Sequence, residues 1–169
     1  MREHCDVAVL LEAWGVPTLR HPMHVWRRGA RAATMVSGNA SVLLYFEPRS
    51  GRAAPRTERE IPADLLDRLV ALPAVRLAAC RDDRNGVIVR WGDARARISE
   101  SGGMVRYEPL RGDPLGLGGD GPLALEDREL LARTRATDLP DAPRQLLQLF
   151  RSPRAGRSEE RRVGKECRL

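Results

Sequence analysis

From Val75 to Tyr107 the chain breaks into short strand-like runs separated by strong turn signals, and no helix accommodates that pattern. The runs VRLAAC (75–80) and GVIVRW (86–91) flank Asp-Asp-Arg-Asn-Gly, in which the Asn85-Gly86 pair marks a hairpin. ARARI (94–98) then alternates strictly, Ser101-Gly102-Gly103 turns, and MVRY (104–107) returns as a fourth strand. A small antiparallel meander is the expected centre of this part of the chain.

The flanking segments have a different period. Val7, Leu10, Leu11 and Trp14 recur at helical spacing with Gly15 as a stop, so a short amphipathic helix is expected first. ASVLLYF (40–46), after the Ser-Gly-Asn turn at 37–39, is a compact strand-forming run. Residues 47–60, rich in Pro, Gly, Arg and Ser, read as an exposed connection. Pro62 is suited to the first turn of a helix whose face is Leu65, Leu66, Leu69 and Val70, with Pro73 closing it. GDPLGLGGDG (112–121) reads as a flexible connection, and helical patterns follow at about 123–135 and 141–151. Helix, strand, helix, meander and two helices imply an α/β or α+β fold.

Length and composition narrow the class. With 169 residues, 42% hydrophobic and 31% charged, the chain can build a real core and is neither a disordered tail nor a fibrous repeat. No apolar run approaches the roughly 20 residues of a membrane span, and the N-terminus lacks the pattern of a signal peptide, so a cytoplasmic location and no membrane partner are expected. Cys5, Cys80 and Cys167 are odd in number and form no close pair, which argues against a disulfide scaffold. The net charge of +6 invites a nucleic-acid partner. Yet the arginines are interleaved with carboxylates, as in RTERE (56–60) and CRDDR (80–84), which reads as locally paired surface and weighs against nucleic acid.

Few residues carry chemistry by spacing. His21 and His24 flank Pro22, which disfavours a helical metal pair, and no nearby Cys or carboxylate cluster completes one. His4, Cys5 and Asp6 are adjacent and point in different directions, so they build no nucleophile and base pair. Asp82 and Asp83 fall in a turn, where Asp serves the backbone. The glycine-rich loop lacks the GK[ST] of a phosphate-cradling loop, and Trp14, Trp26 and Trp91 are too scattered to stack a single strand.

The last residues stand apart. Lys165 is the one Lys of the chain, and RSEERRVGKEC (157–167) resembles, residue for residue, the in-frame translation of a short-read sequencing adapter. Residues 157–169 are therefore expected to be an artefactual tail, and fold reasoning is confined to residues 1–156.

PDAPRQLLQLFRSPRAG (140–156), MVSGNASVLLYF (35–46) and GDPLGL (112–117) together resemble the C-terminal half of alkaline phosphatase superfamily proteins of the type I phosphodiesterase and nucleotide pyrophosphatase kind. The resemblance implies that residues 1–156 are part of an alkaline-phosphatase-like α/β core. In that family two divalent metals, usually zinc, activate a Thr or Ser hydroxyl that attacks the phosphorus of a small phosphoester. The family's Asp-His-Gly motif, its nucleophile and its late metal-binding His match no position here, so no catalytic or metal residue carries over. The expectation is a non-catalytic piece of a phosphatase, phosphodiesterase or nucleotide pyrophosphatase, without metals of its own. Sulfatase-like and mutase-like members are within the same resemblance. His4, Ser37 and Asn39 are the polar candidates for a pocket or for supporting a ligand. The alternative is a freestanding basic α+β module that binds nucleic acid or an acidic partner.

Overall fold

The computed structural model describes residues 5–21, 27–37, 41–46, 57–118 and 121–152. It is a mixed α/β protein with four helices, a three-stranded mixed sheet and a five-stranded antiparallel sheet among those residues. They fall into two compact units, the first holding the described residues up to Phe46 and the second Thr57 to Ser152.

In the first unit, α1 (Val7–Ala13) starts at Asp6, whose Oδ1 accepts from the amides of Ala8 (3.0 Å) and Val9 (3.2 Å). This cap satisfies two of the donors that a helix N-terminus leaves open. The helix stops as expected at Gly15, whose φ of +77° suits a residue without Cβ. Leu11 and Ala8 form its buried side. The strand expected at 40–46 is β3 (Ser41–Phe46), paired antiparallel with β2 (Ala32–Ser37), and β2 in turn lies parallel to β1 (Thr18–His21). Neither β1 nor β2 is signalled by the sequence, because both are short and their inward residues include Thr18 and Thr34, which are buried polar side chains. Glu12 and Arg27 hold the start of β1: the Thr18 amide donates to Glu12 at 2.6 Å, and Arg27 donates to the Thr18 carbonyl at 2.7 Å and to both Glu12 oxygens. The Arg27 bond, then the Thr18 amide, lowers the Glu12 carboxyl below its ordinary range against the opposing effect of burial.

The second unit begins with a turn of 3₁₀ helix (Glu58–Glu60) and α2 (Ala63–Val70), preceded by Pro62 as expected. Leu65, Leu66, Leu69 and Val70 are all buried. The meander follows as β4 (Ala78–Arg81), β5 (Val87–Trp91), β6 (Ala94–Ser101), β7 (Met104–Arg111) and β8 (Leu123–Leu125), each antiparallel to the next. It has five strands, one more than the sequence pattern predicts. Leu123–Leu125 was expected to open a helix, but it pairs with β7 and buries Leu125 at 4% exposure before α3 (Asp127–Thr134) begins. After α3, α4 (Ala142–Arg151) carries Leu147 inward and Leu149 outward.

Alternation splits the sheet into two faces. Val87, Val89, Ala96, Ile98, Val105, Tyr107 and Leu125 line the face that packs with Leu130 of α3 and with Ala142 and Leu147 of α4. On the other face Cys80 and Ile88 meet Leu66 of α2. Each fully buried aliphatic side chain contributes about 1.5–3 kcal/mol relative to exposure, so the first cluster is the main stabilising mass of this unit.

Candidate functional site

The three polar candidates divide by position. His4 and Asn39 lie outside the described residues. Ser37 is the last residue of β2, paired in register with Ser41 of β3, which assigns it to the end of a hairpin. Of the other residues weighed from the sequence, His21 ends β1 and His24 lies outside the described residues.

Zinc sites take about four ligands from Cys, His, Asp and Glu. Among the described residues no group of three or more such side chains could hold a metal. The carboxylates are instead engaged by arginine: Asp82 and Glu108 with Arg97, Glu58 with Arg95, Asp83 with Arg59 and Asp67 with Arg90. Asp82 and Asp83 therefore neutralise two different cations, and the described residues do not fit a two-metal centre. Cys80 is no ligand either. Burial, reinforced by the negative charge of Glu58, pushes its thiol up to about 12, so at neutral pH it is a protonated core residue.

The most highly built polar feature is the loop after β7. Asp113 accepts from the Tyr107 hydroxyl at 2.5 Å, from the Gly116 amide at 2.9 Å and from the Gly118 amide at 2.7 Å. Burial acts to raise its carboxyl, and the bonds from Tyr107, Gly118, Leu117 and Gly116 outweigh burial and hold it below the ordinary value. Pro114, Leu115 and Leu117 are buried, so residues 112–118 are a folded lobe of the core. The expectation of a flexible connection is thus corrected for these seven residues. Its glycines serve geometry: Gly112, Gly116 and Gly118 adopt φ of +60°, +67° and +72°.

A second polar cluster fastens the helices. Arg144 of α4 is only 9% exposed and bridges Glu100 at the end of β6 to Asp127 at the start of α3, while Arg151 joins the same Glu100. Its Nε is buried without a hydrogen-bond partner, as is the Nε of Arg81. Arg81 donates to the Ser152 carbonyl at 3.1 Å and lies 5.8 Å from the centre of the Phe150 ring. None of these arginines was singled out by sequence, because a bridging Arg and a surface Arg look alike in a chain so rich in both charges. Asp113 did carry a signal, an Asp followed three and five residues later by Gly, which is the spacing its carboxylate uses.

No helix among the described residues is long and apolar enough to cross a membrane. No protein-family model, curated protein or solved structure matches the chain.

Proposed function

We propose that the chain is a scaffold portion of a metal-dependent phosphoester or phosphodiester hydrolase of the alkaline-phosphatase-like α/β kind, and that it contributes framework and not reacting groups. The supporting observation is where the three resembling segments lie in the fold. Of MVSGNASVLLYF, Met35 to Ser37 end β2 and Ser41 to Phe46 form β3, GDPLGL lies in the Asp113 lobe, and PDAPRQLLQLF leads into and forms most of α4. Each is an element that fixes backbone geometry, which is the part of an enzyme that outlasts changes in substrate. In this reading Asp113 and Tyr107 set the loop after β7, Arg144 fixes α4 to the end of β6 and to the start of α3, and the metals and nucleophile come from residues that match no position of this chain. When bound, two zinc ions would supply activation of the hydroxyl nucleophile and stabilisation of the leaving oxygen.

The pairing of Arg90, Arg95, Arg97 and Arg144 with carboxylates weighs against nucleic acid as the partner, and the small phosphoester substrate of the parent enzyme rests on the resemblance. The test is zinc-dependent hydrolysis of bis(p-nitrophenyl) phosphate by this chain and by the complete reading frame of its locus, together with zinc uptake in equilibrium dialysis. The proposal expects turnover and about two bound zinc ions for the complete frame, and neither for the chain alone. Turnover by the chain alone, or a complete frame that neither binds zinc nor hydrolyses the ester, would overturn it. Steeply salt-dependent DNA binding by the chain would instead favour the basic module.

A further inference from the structure

The turn between β4 and β5 sets an exposed side-chain amide beside an unengaged backbone nitrogen. Of the asparagines in the chain, Asn39 precedes Ala40 and Asn85 precedes Gly86. Asn85 is exposed and Gly86 is buried, so water reaches the Asn85 side chain while the backbone behind it is packed. The Asp82 amide donates to the Gly86 carbonyl at 2.9 Å, whereas the Gly86 amide has no acceptor among the described residues. An amide in a buried residue is ordinarily held by an acceptor. This one is not, and its nitrogen is the one that can close a succinimide ring on the Asn85 side chain. Gly86 also brings no Cβ to crowd that approach.

We propose that Asn85 is a site of spontaneous backbone modification in the folded chain, with water as the co-reactant, and that the product loosens the start of β5. The Gly86 nitrogen bonds to the Asn85 Cγ, the bond from Cγ to Nδ2 breaks, and ammonia leaves with the proton of the Gly86 amide. Water then adds to one carbonyl of the cyclic imide and breaks its bond to the Gly86 nitrogen, which regains a proton. Opening at Cγ leaves an ordinary aspartate, and opening at the main-chain carbon leaves an isoaspartate, in which the chain runs through the side chain. Isoaspartate puts an extra carbon into the backbone directly before Gly86, where a Cβ would already lie 2.6 Å from the Ile98 carbonyl oxygen. The next residue, Val87, pairs with both Arg81 and Ile98, so the extra atom displaces the start of β5 against two neighbours. Either product adds a carboxylate beside Asp82 and Asp83, whose cations Arg97 and Arg59 are already engaged at 2.8 Å.

The hydrolase reading gives Asn85 no role, so the two proposals stand or fall separately. The test ages the purified full chain at neutral pH and body temperature, folded and, in parallel, unfolded in guanidinium chloride. Tryptic peptide 85–90 is followed by mass spectrometry for the exchange of an amide NH2 for OH, with electron-transfer fragmentation to tell isoaspartate from aspartate. The expected result is a first-order loss of the asparagine form in the folded sample, isoaspartate among the products, and Asn39 intact over the same period. The urea midpoint of the aged chain should fall below that of the fresh chain. Asn85→Gly, which accepts the left-handed φ of +61° and lacks the amide, should age with no change in midpoint. A peptide 85–90 that stays intact in the folded sample, whatever happens in guanidinium chloride, would overturn the proposal. So would equal conversion at Asn39, or a midpoint that does not fall on ageing or falls equally in Asn85→Gly.

Discussion

Tyr107 and Asp113 show how a single side-chain pair turns glycine-rich chain into structure. Tyr107 is buried to 1% exposure, and its hydroxyl is satisfied by the carboxylate that also holds two loop amides. Tyr107→Phe leaves the half-buried carboxylate one donor short and should cost about 0.5–1.5 kcal/mol, read as a lower urea midpoint with unchanged slope. The lowered Asp113 carboxyl also sets a pH dependence. A group depressed below its ordinary 3.8 adds stability that is complete above that value and is lost as pH falls through the depressed one. Acid unfolding curves should therefore flatten below about pH 4 in Asp113→Asn relative to the parent chain. Cys80, at 6% exposure and with its thiol raised to about 12, should resist a thiol reagent in the folded chain and react fully in denaturant, as mapped by peptide mass spectrometry. The Asp113 lobe was illegible as structure because glycine and proline announce irregular backbone without saying whether a core claims it. Leu115 and Leu117 decide that here by burial.

Elements were legible where the pattern is long and its partner adjacent in sequence. The β4–β5 hairpin follows from Asn85-Gly86, though the two residues divide the work differently from a two-residue turn. Asn85 takes the left-handed conformation with φ of +61°, and the Asp82 amide donates to the Gly86 carbonyl at 2.9 Å across a three-residue loop. Gly86 is required by proximity, since a Cβ there would lie 2.6 Å from the Ile98 carbonyl oxygen. Gly86→Ala should therefore force β5 away from β6 and cost about 1–3 kcal/mol, measured by thermal unfolding. The strands β1, β2 and β8 escaped the sequence reading because pairing partners, and not local propensity, make a strand of three to six residues. The attachment of α4 is a further case of tertiary context. Arg144→Ala should cost about 1–3 kcal/mol through the lost packing and ion pairs of a buried guanidinium, while Arg144→Met, which fills the space, should recover part of it. If both variants lose the same amount, the ion pairs and not packing hold the helix.

At the scale of the molecule, the mixed α/β class was readable from the order of periodicities, and four strands of the five-stranded sheet from their turns. A pocket was not. His4 and Asn39 lie outside the described residues, Ser37 closes a hairpin, and many of the described carboxylates pair with arginine while none joins a metal cluster. The polar groups of these elements are spent on holding them together. The resembling segments coincide with those elements, which is why we read the chain as scaffold. The most direct measurement is long-read sequencing of the source locus through both ends of this frame. The account predicts Asp-His-Gly encoded in frame upstream, and sequence carrying the family's late metal-binding His after Gly156 in place of RSEERRVGKECRL. A locus that encodes RSEERRVGKECRL followed by a stop, with no Asp-His-Gly upstream, would contradict it and leave a small basic α+β module.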